Sequence, residues 1–266
     1  YESTIVILED IRKRGITEIY SLGDNIGLGP NPIEVFDMLE YYKVKSVSGN
    51  SEYYNTLGIA PFSSYFDTAK TENQLWTEEK LGSKRIEIMK SWAPSLDIKV
   101  GDKNIGLCHF INDIRWDFDK QNTWSYQRDF VKGVNSKQFL YTNSEEAKAE
   151  LERLSRKFNG DMAKGVIDAI KHPIFDGKRV TNYDAILQGH VHFPFEDYIE
   201  NTNIHTLRGV SVGFRNDRKD TACYYILREK KDGTFDIEKK LIRYNRHQLL
   251  ENIYSSSLPH KDYLLK

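Results

Sequence analysis

Residues 16–25 read ITEIYSLGDN and residues 44–50 read VKSVSGN. Each is a short run holding β-branched residues that stops at a glycine followed by a polar side chain, Asp24 in the first and Asn50 in the second. Runs of this kind predict short strands over 16–22 and 44–47, with a turn at each carboxyl end. Asn31-Pro32, with Glu34 three residues after the asparagine, is a helix-start signal and predicts a helix to about Tyr42. Upstream, Ile5, Leu8 and Ile11 recur at helical spacing behind Ser3 or Thr4 as cap, and Gly15 ends that helix. The order helix, strand, helix, strand is α/β architecture. In open α/β sheets, chemistry sits beyond the carboxyl ends of the strands.

The same grammar returns downstream. Residues 73–92 predict a helix, and 96–109 predict two strands split by Gly101-Asp102, the second ending on Cys108-His109. Residues 143–158, started by Asn143-Ser144 and striped by Ala147, Leu151, Leu154 and Phe158, predict a helix, as do 162–170. Residues 185–188 are a buried strand that ends on Gly189-His190-Val191-His192. The last third predicts strands at 195–200, 204–208, 221–228 and 235–244, read as an antiparallel meander, and the tail from Gln248 reads as a surface arm.

Composition narrows the function. Lys plus Arg total 38 against 39 for Asp plus Glu, so the net charge is −1 and a nucleic-acid coat or polybasic membrane binder is disfavoured. A mean hydropathy of −0.60 and the lack of any run near the about 18–20 apolar residues of a spanning helix argue against a membrane protein. Two cysteines, Cys108 and Cys223, form no disulfide framework, and no signal-like apolar region is visible; the expected compartment is a reducing cytoplasm.

The polar groups at the strand ends are Asp24, Asn50, His109, His190 and His192. Singly, each has a plain reading: a turn residue, a helix cap, a packing histidine. Jointly, every one follows a short apolar strand, so all can converge on one sheet edge. Carboxylate, amide oxygen and imidazole together suit Mn²⁺, Fe²⁺ or Zn²⁺.

The order Gly-Asp, Gly-Asn, lone His and Gly-His-x-His resembles the calcineurin-like metallophosphoesterase superfamily, most closely its bacterial phosphodiesterase branch. Leu22-Gly23-Asp24 through Gly29-Pro30-Asn31-Pro32 resembles that branch's Gly-Asp loop. Arg208-Gly209-Val210-Ser211-Val212-Gly213 resembles its Asn-Pro-Gly-Ser-Val-Gly loop, with the Asn-Pro-Gly opening replaced by Arg-Gly-Val. The resemblance runs from Thr4 to about Leu227. It implies a four-layer α/β/β/α sandwich in one domain spanning 1–266, and two metal ions, Mn, Fe or Zn. Asp24 would bridge them, Asn50, His109 and His190 would complete one, and His192 would join the other. It further implies in-line attack on phosphorus by a hydroxide held between the ions.

Two departures shape the expectations. The family's opening Asp-x-His motif is absent, and the expectation is that the native chain carries it upstream of Tyr1. Where many relatives have Gly-Asn-His-Asp, this chain has Gly49-Asn50-Ser51-Glu52. Ser51 can donate a hydrogen bond but is no general acid near neutral pH, a role worth about 10²–10⁴ in rate. The expected substrates therefore have good leaving groups: aryl phosphodiesters, or nucleotide phosphoanhydrides such as dinucleoside polyphosphates. The alternatives are a protein Ser/Thr phosphatase, disfavoured because that branch has Gly-Asn-His-Glu, and a catalytically degenerate protein-binding scaffold.

About eighty residues separate His109 from His190, and about 111–180 of them read as a cap insert. Residues 111–141 hold seven aromatics: Trp116, Phe118, Trp124, Tyr126, Phe130, Phe139 and Tyr141. The favoured reading is a helical cap burying its own small core. The other is a lid whose rings stack on a nucleobase, with Arg115 or Arg128 on phosphate. Cys108, beside His109 on a strand, is expected to point into the core. His172, His205, His247 and His260 fit no motif.

Overall fold

A computed structural model describes residues 1–58, 67–93, 95–109, 174–175, 178–179, 182–190, 195–199, 201–210 and 220–262. The elements are α1 (Glu2–Lys13), β1 (Tyr20–Ser21), α2 (Pro32–Tyr41), β2 (Lys45–Ser46), α3 (Asn50–Leu57), α4 (Thr68–Met89), β3 (Ser95–Val100), β4 (Lys103–Cys108), β5 (Ile174–Phe175), β6 (Lys178–Arg179), β7 (Ala185–Gln188), β8 (Phe195–Ile199), β9 (Thr202–Thr206), β10 (Thr221–Glu229), β11 (Phe235–Arg243) and α5 (Arg246–Ser255). The predicted helices at 143–158 and 162–170, and nearly all of the predicted cap, lie outside the described residues.

Five strands form the main sheet in the order β3-β4-β7-β9-β8. β4, β7 and β9 run parallel, so their carboxyl ends share one edge, and β3 and β8 flank them antiparallel. The central strands are apolar on both faces: Ile105, Leu107, Ala185, Ile186, Leu187 and Ile204 are all at most 2% exposed. A strand covered on both sides reads as a continuous apolar run, which is why 185–188 was legible without alternation.

β10 and β11 form an antiparallel hairpin of their own. Alternation along β10 splits its two faces. Ala222, Tyr224 and Ile226 pack on Ile7 and Ile11 of α1, whereas Leu227, with Phe235 and Ile237 of β11, packs on Ile105, Leu107 and Leu187 of the main sheet. The layers are thus helix, hairpin and sheet. A bond across the outer seam completes it: the Tyr224 hydroxyl donates to Asp10 Oδ2 at 2.6 Å, which also accepts from Arg14 Nε at 2.7 Å. Burial and that acceptor push the Tyr224 phenol up to about 12.

The third core, Ile26, Val35, Phe36, Leu39, Leu81 and Met89, joins α2 to α4 beside the two-stranded parallel pair β1-β2. Gly82, at φ 69°, kinks α4.

Three expectations are corrected. The last third is not one meander: β9 pairs in parallel with β7 and carries β8 into the main sheet, and only β10 and β11 form a separate hairpin. The tail is not a surface arm. α5 places Ile253 at 5% exposure, Leu258 is 2% exposed, and the Trp76 indole of α4 donates to Ser257 Oγ at 3.1 Å. α1 starts at Glu2, ahead of Ser3 and Thr4. Cys108 is fully buried, as its strand position required.

Candidate metal centre

Four strand ends, two from the β1-β2 pair and two from the main sheet, supply the groups. The loop after β1 brings Asp24, the loop after β2 brings Asn50 as the first residue of α3, and β4 and β7 end on His109 and His190. Backbone bonds hold the ends in register, with Gly189 N–H donating to His109 O at 2.8 Å.

His109 is the hub. It is 2% exposed, and its Nδ1 lies 2.6 Å from the Leu22 carbonyl oxygen. A carbonyl only accepts, so Nδ1 carries the proton and Nε2 presents its lone pair. Around Nε2 stand Asn50 Oδ1 at 3.1 Å, His190 Nδ1 at 3.1 Å and Asp24 Oδ2 at 3.2 Å. Ligand atoms about 2.1 Å from one ion sit about 3.0 Å apart in octahedral geometry and about 3.4 Å apart in tetrahedral geometry. The observed separations fall in that interval. The ligand atoms of Asp24, His109 and His190 all lie within 4.8 Å of one another.

Acceptors crowd around His109 Nε2. With Oδ1 inward, the Asn50 amide oxygen faces acceptors; turned over, its nitrogen would donate to Asp24 Oδ1 and Oδ2 at 3.2 and 2.9 Å and to His109 Nε2 at 3.1 Å. A cation satisfies the first orientation and a metal-free site the second. Burial opposes ionisation of Asp24, but the His109 imidazole, the Ser51 N–H and His190 outweigh it and hold the carboxyl well below its usual range. The residues present therefore fit a divalent ion.

Strain marks the same places. Asp24 at φ 57° and His190 at φ 65° both occupy the left-handed region, which costs a non-glycine residue about 1–2 kcal/mol. Among the described residues, two of the five non-glycine residues with positive φ are thus candidate ligands.

The sequence alone does not assign a role to Glu52, though the spacing Gly49-x-x-Glu52 is the half capping box that starts α3. It is fully buried. Its carboxylate accepts from the backbone N–H of Asp24 (2.7 Å), Asn25 (2.8 Å) and Gly49 (2.8 Å), clasping the Gly-Asp loop to the Gly-Asn loop. Burial and the neighbouring Asp24 charge push its carboxyl up, against those three donors. Glu52→Gln turns an NH₂ toward a backbone donor, so Mn²⁺ affinity should fall about 10–100-fold, the usual scale for a lost outer-shell partner. Direct Mn²⁺ titration reads it out.

Ser51 orients Asp24 through its main chain: its N–H donates to Asp24 Oδ1 at 2.8 Å. Asp24, Asn50, His109 and His190 thus come together, with Ser51 beside them. His192, Arg115 and Arg128 lie outside the described residues. Of the unassigned histidines, His205 lies 3.5 Å from Glu196, His247 lies 3.1 Å from Glu251 and His260 lies 2.9 Å from Glu72; His172 lies outside the described residues. Among the described residues no helix is long and apolar enough to cross a membrane.

No family model matches the chain. It is similar to the uncharacterized protein MJ0912 of Methanocaldococcus jannaschii, 29% identical over 108 residues, which is 41% of this chain and 44% of that protein. The chain thus matches less than half the length of this curated relative. Among solved structures it is similar to the hypothetical protein PH1004 of Pyrococcus horikoshii OT3, with a TM-score of 0.61 at 15% identity over 97% of this chain and 88% of that one. That likeness speaks of fold alone. A predicted phosphoesterase of Streptococcus pneumoniae TIGR4 aligns over 90% of both chains at 11% identity with a TM-score of 0.35, too low to carry an argument. The fold is a mixed α/β fold shared with PH1004.

Proposed function

We propose that this chain is a metal-dependent phosphohydrolase that cleaves a phosphodiester or a nucleotide phosphoanhydride, such as a dinucleoside polyphosphate. One observation carries the reading. Asp24 Oδ2, Asn50 Oδ1 and His190 Nδ1 stand 3.1–3.2 Å from His109 Nε2, the spacing of ligands around a single ion.

When bound, a divalent ion of the Mn, Fe or Zn type supplies positive charge for a phosphoryl oxygen and lowers the pKa of water. The protein's own residues hold and aim the site. Leu22 O keeps the His109 proton on Nδ1, so Nε2 stays available as a ligand. The Ser51 N–H fixes the Asp24 carboxylate, and Glu52 locks the two loops on which Asp24 and Asn50 ride. Neutral Asn50 completes the set without adding negative charge, so the loaded site still attracts an anionic phosphate. A second ion, with Asp24 shared and His192 as a further ligand, belongs to the same proposal. Since Ser51 cannot protonate a departing alkoxide, substrates with good leaving groups should be preferred.

Purified full chain should take up Mn²⁺ and turn over bis(p-nitrophenyl) phosphate in its presence. Alkyl phosphodiesters should react at least about 100-fold more slowly, the lower end of what general acid catalysis contributes. A protein that binds no metal and hydrolyses nothing would instead fit a scaffold on the same fold. Equal rates on good and poor leaving groups would overturn the role argued for Ser51.

A further inference from the structure

Arg208 occupies a place that the metal cluster does not explain. β7 and β9 run parallel with Gln188 opposite Thr206, and Leu207 N–H donates to Gln188 O at 2.7 Å beyond the last paired residues. Arg208 follows Leu207 directly and His190 lies two residues beyond Gln188, so both leave the carboxyl ends of adjacent parallel strands. Neighbouring strands lie about 4.8 Å apart, so this guanidinium stems from the strand next to the one that leads into a candidate ligand.

Its surroundings differ from those of four other arginines. Arg14, Arg85, Arg228 and Arg243 each pair with a carboxylate, of Asp10, Asp37, Glu238 and Asp220 respectively. Among the described residues no carboxylate pairs with Arg208. Its Nε is buried and has no hydrogen-bond partner among the described residues. The main chain beneath is anchored, with the Arg208 N–H donating to the Tyr225 hydroxyl at 3.1 Å and Cys223 N–H donating to Val210 O at 2.9 Å. The positive charge bears on both Tyr225 and Cys223, opposing the upward push that burial gives each of them. A buried donor without an acceptor is rare in a folded protein, because its lost hydration is not replaced. An anion would supply the acceptor. A planar guanidinium fork at a metal-bearing edge matches two oxygens of a phosphoryl group.

We propose that Arg208 is a phosphate-binding residue that grips a non-reacting or departing phosphoryl group beside the His190 side of the metal cluster. The inference rests on the metallophosphoesterase reading for its setting, yet the position of Arg208 and its unsatisfied Nε are independent of any metal. It also gives a purpose to the Arg-Gly-Val that stands at 208–210, where the resembling loop opens with Asn-Pro-Gly.

The test is calorimetric titration of inorganic phosphate into the full chain, with and without Mn²⁺, for the wild type, Arg208→Gln and Arg208→Lys, with Mn²⁺ affinity measured alongside. Arg208→Gln should weaken phosphate at least tenfold in both conditions, and Arg208→Lys should recover part of the loss. Mn²⁺ affinity should change less than threefold, and KM for a phosphodiester should rise more than kcat falls. Circular dichroism checks that the variants fold; because Lys keeps the charge and most of the stem, it serves if Gln does not. Phosphate affinity within twofold of wild type in both variants, with Mn²⁺ bound normally, overturns the role of Arg208 and leaves the metal reading standing. A wild type that takes no Mn²⁺ but loses phosphate on Arg208→Gln overturns the metal reading and upholds Arg208. A wild type that binds no phosphate in either condition overturns Arg208.

Discussion

Asp24→Asn should abolish Mn²⁺ binding at micromolar metal, cut phosphodiester turnover by at least about 10³, and lower the Tm of the metal-free protein. The losses share one cause, the carboxylate charge. In the metal-free chain Asp24 Oδ2 lies 3.2 Å from His109 Nε2, the Ser51 N–H donates to Oδ1, and the turned-over Asn50 amide donates to both oxygens. These partners hold the carboxyl well below its usual range, so the ionised form stabilises the fold at neutral pH and an amide in its place gives that up. Asparagine tolerates the left-handed backbone at φ 57° better than most residues, so the substitution adds no new strain. A hydrogen bond to a charged group is worth about 1.5–3 kcal/mol, or a fall of about 3–12 °C in Tm at about 2–4 °C per kcal/mol for a chain somewhat larger than 200 residues. Removing the charge also deprives a divalent ion of the only carboxylate in the described cluster. Thermal unfolding in a chelator, set beside Mn²⁺ titration, reads both losses. A variant that loses stability and keeps its metal would contradict the assignment of Asp24 as a ligand.

Gly49→Ala should be among the most damaging single methyl groups at the described glycines. A Cβ at this position would lie 2.5 Å from Asp24 N, 2.6 Å from Asp24 Oδ1 and 2.9 Å from His109 Nδ1. The nearest atom is backbone, so no rotamer change relieves the contact. The Gly-Asp and Gly-Asn loops must separate, and the Glu52 bonds to Asp24, Asn25 and Gly49 stretch with them. Overpacking costs about 1–3 kcal/mol, and a buried acceptor stripped of a donor about 1–3 kcal/mol more. A loss of about 3 kcal/mol lowers Tm by about 6–12 °C. Gly15→Ala is the control. It also sits at positive φ, 72°, but nothing lies within 4 Å of its added carbon, so it bears backbone strain alone. Scanning calorimetry of the two variants should rank Gly49 well above Gly15, and only Gly49→Ala should lose Mn²⁺ affinity. Equal losses would mean that the loop crossing is looser than its distances imply.

Local signals were readable where one stretch of chain settles its own conformation. Pro32 behind Asn31 started α2 where expected, and the apolar run at 185–188 matched β7 residue for residue. The turn at Gly101-Asp102 separated β3 from β4. The failures share a cause. Residues 202–206 look the same whether they pair with β8, β7 or β10; that β9 lies between β7 and β8 is decided by which apolar faces must be covered, and those faces belong to distant segments. The tail from Gln248 is weakly patterned because much of the surface that orders it, on α1 and α4, belongs to other parts of the chain. Glu52 escaped notice because a carboxylate at a helix start is ordinarily a solvent-facing cap, and only the crossing of a second loop buries it.

What the sequence determined by itself is the chemistry: a carboxylate, an amide and imidazoles, each placed by a Gly-containing turn or strand end just past a short apolar run. That much is local, because a glycine turn and a β-branched run need only their own neighbours. What only the tertiary structure decided is that four of these groups meet within one ion's reach, which His109 nitrogen faces inward, that Glu52 clasps two loops, and that Arg208 stands at the same edge without a carboxylate partner among the described residues. Those facts follow from the parallel order β4-β7-β9 and the close approach of Gly23 to Gly49, contacts between residues far apart in sequence. No short window of sequence encodes them, since their stability comes from burying faces against one another and from satisfying the polar groups trapped between.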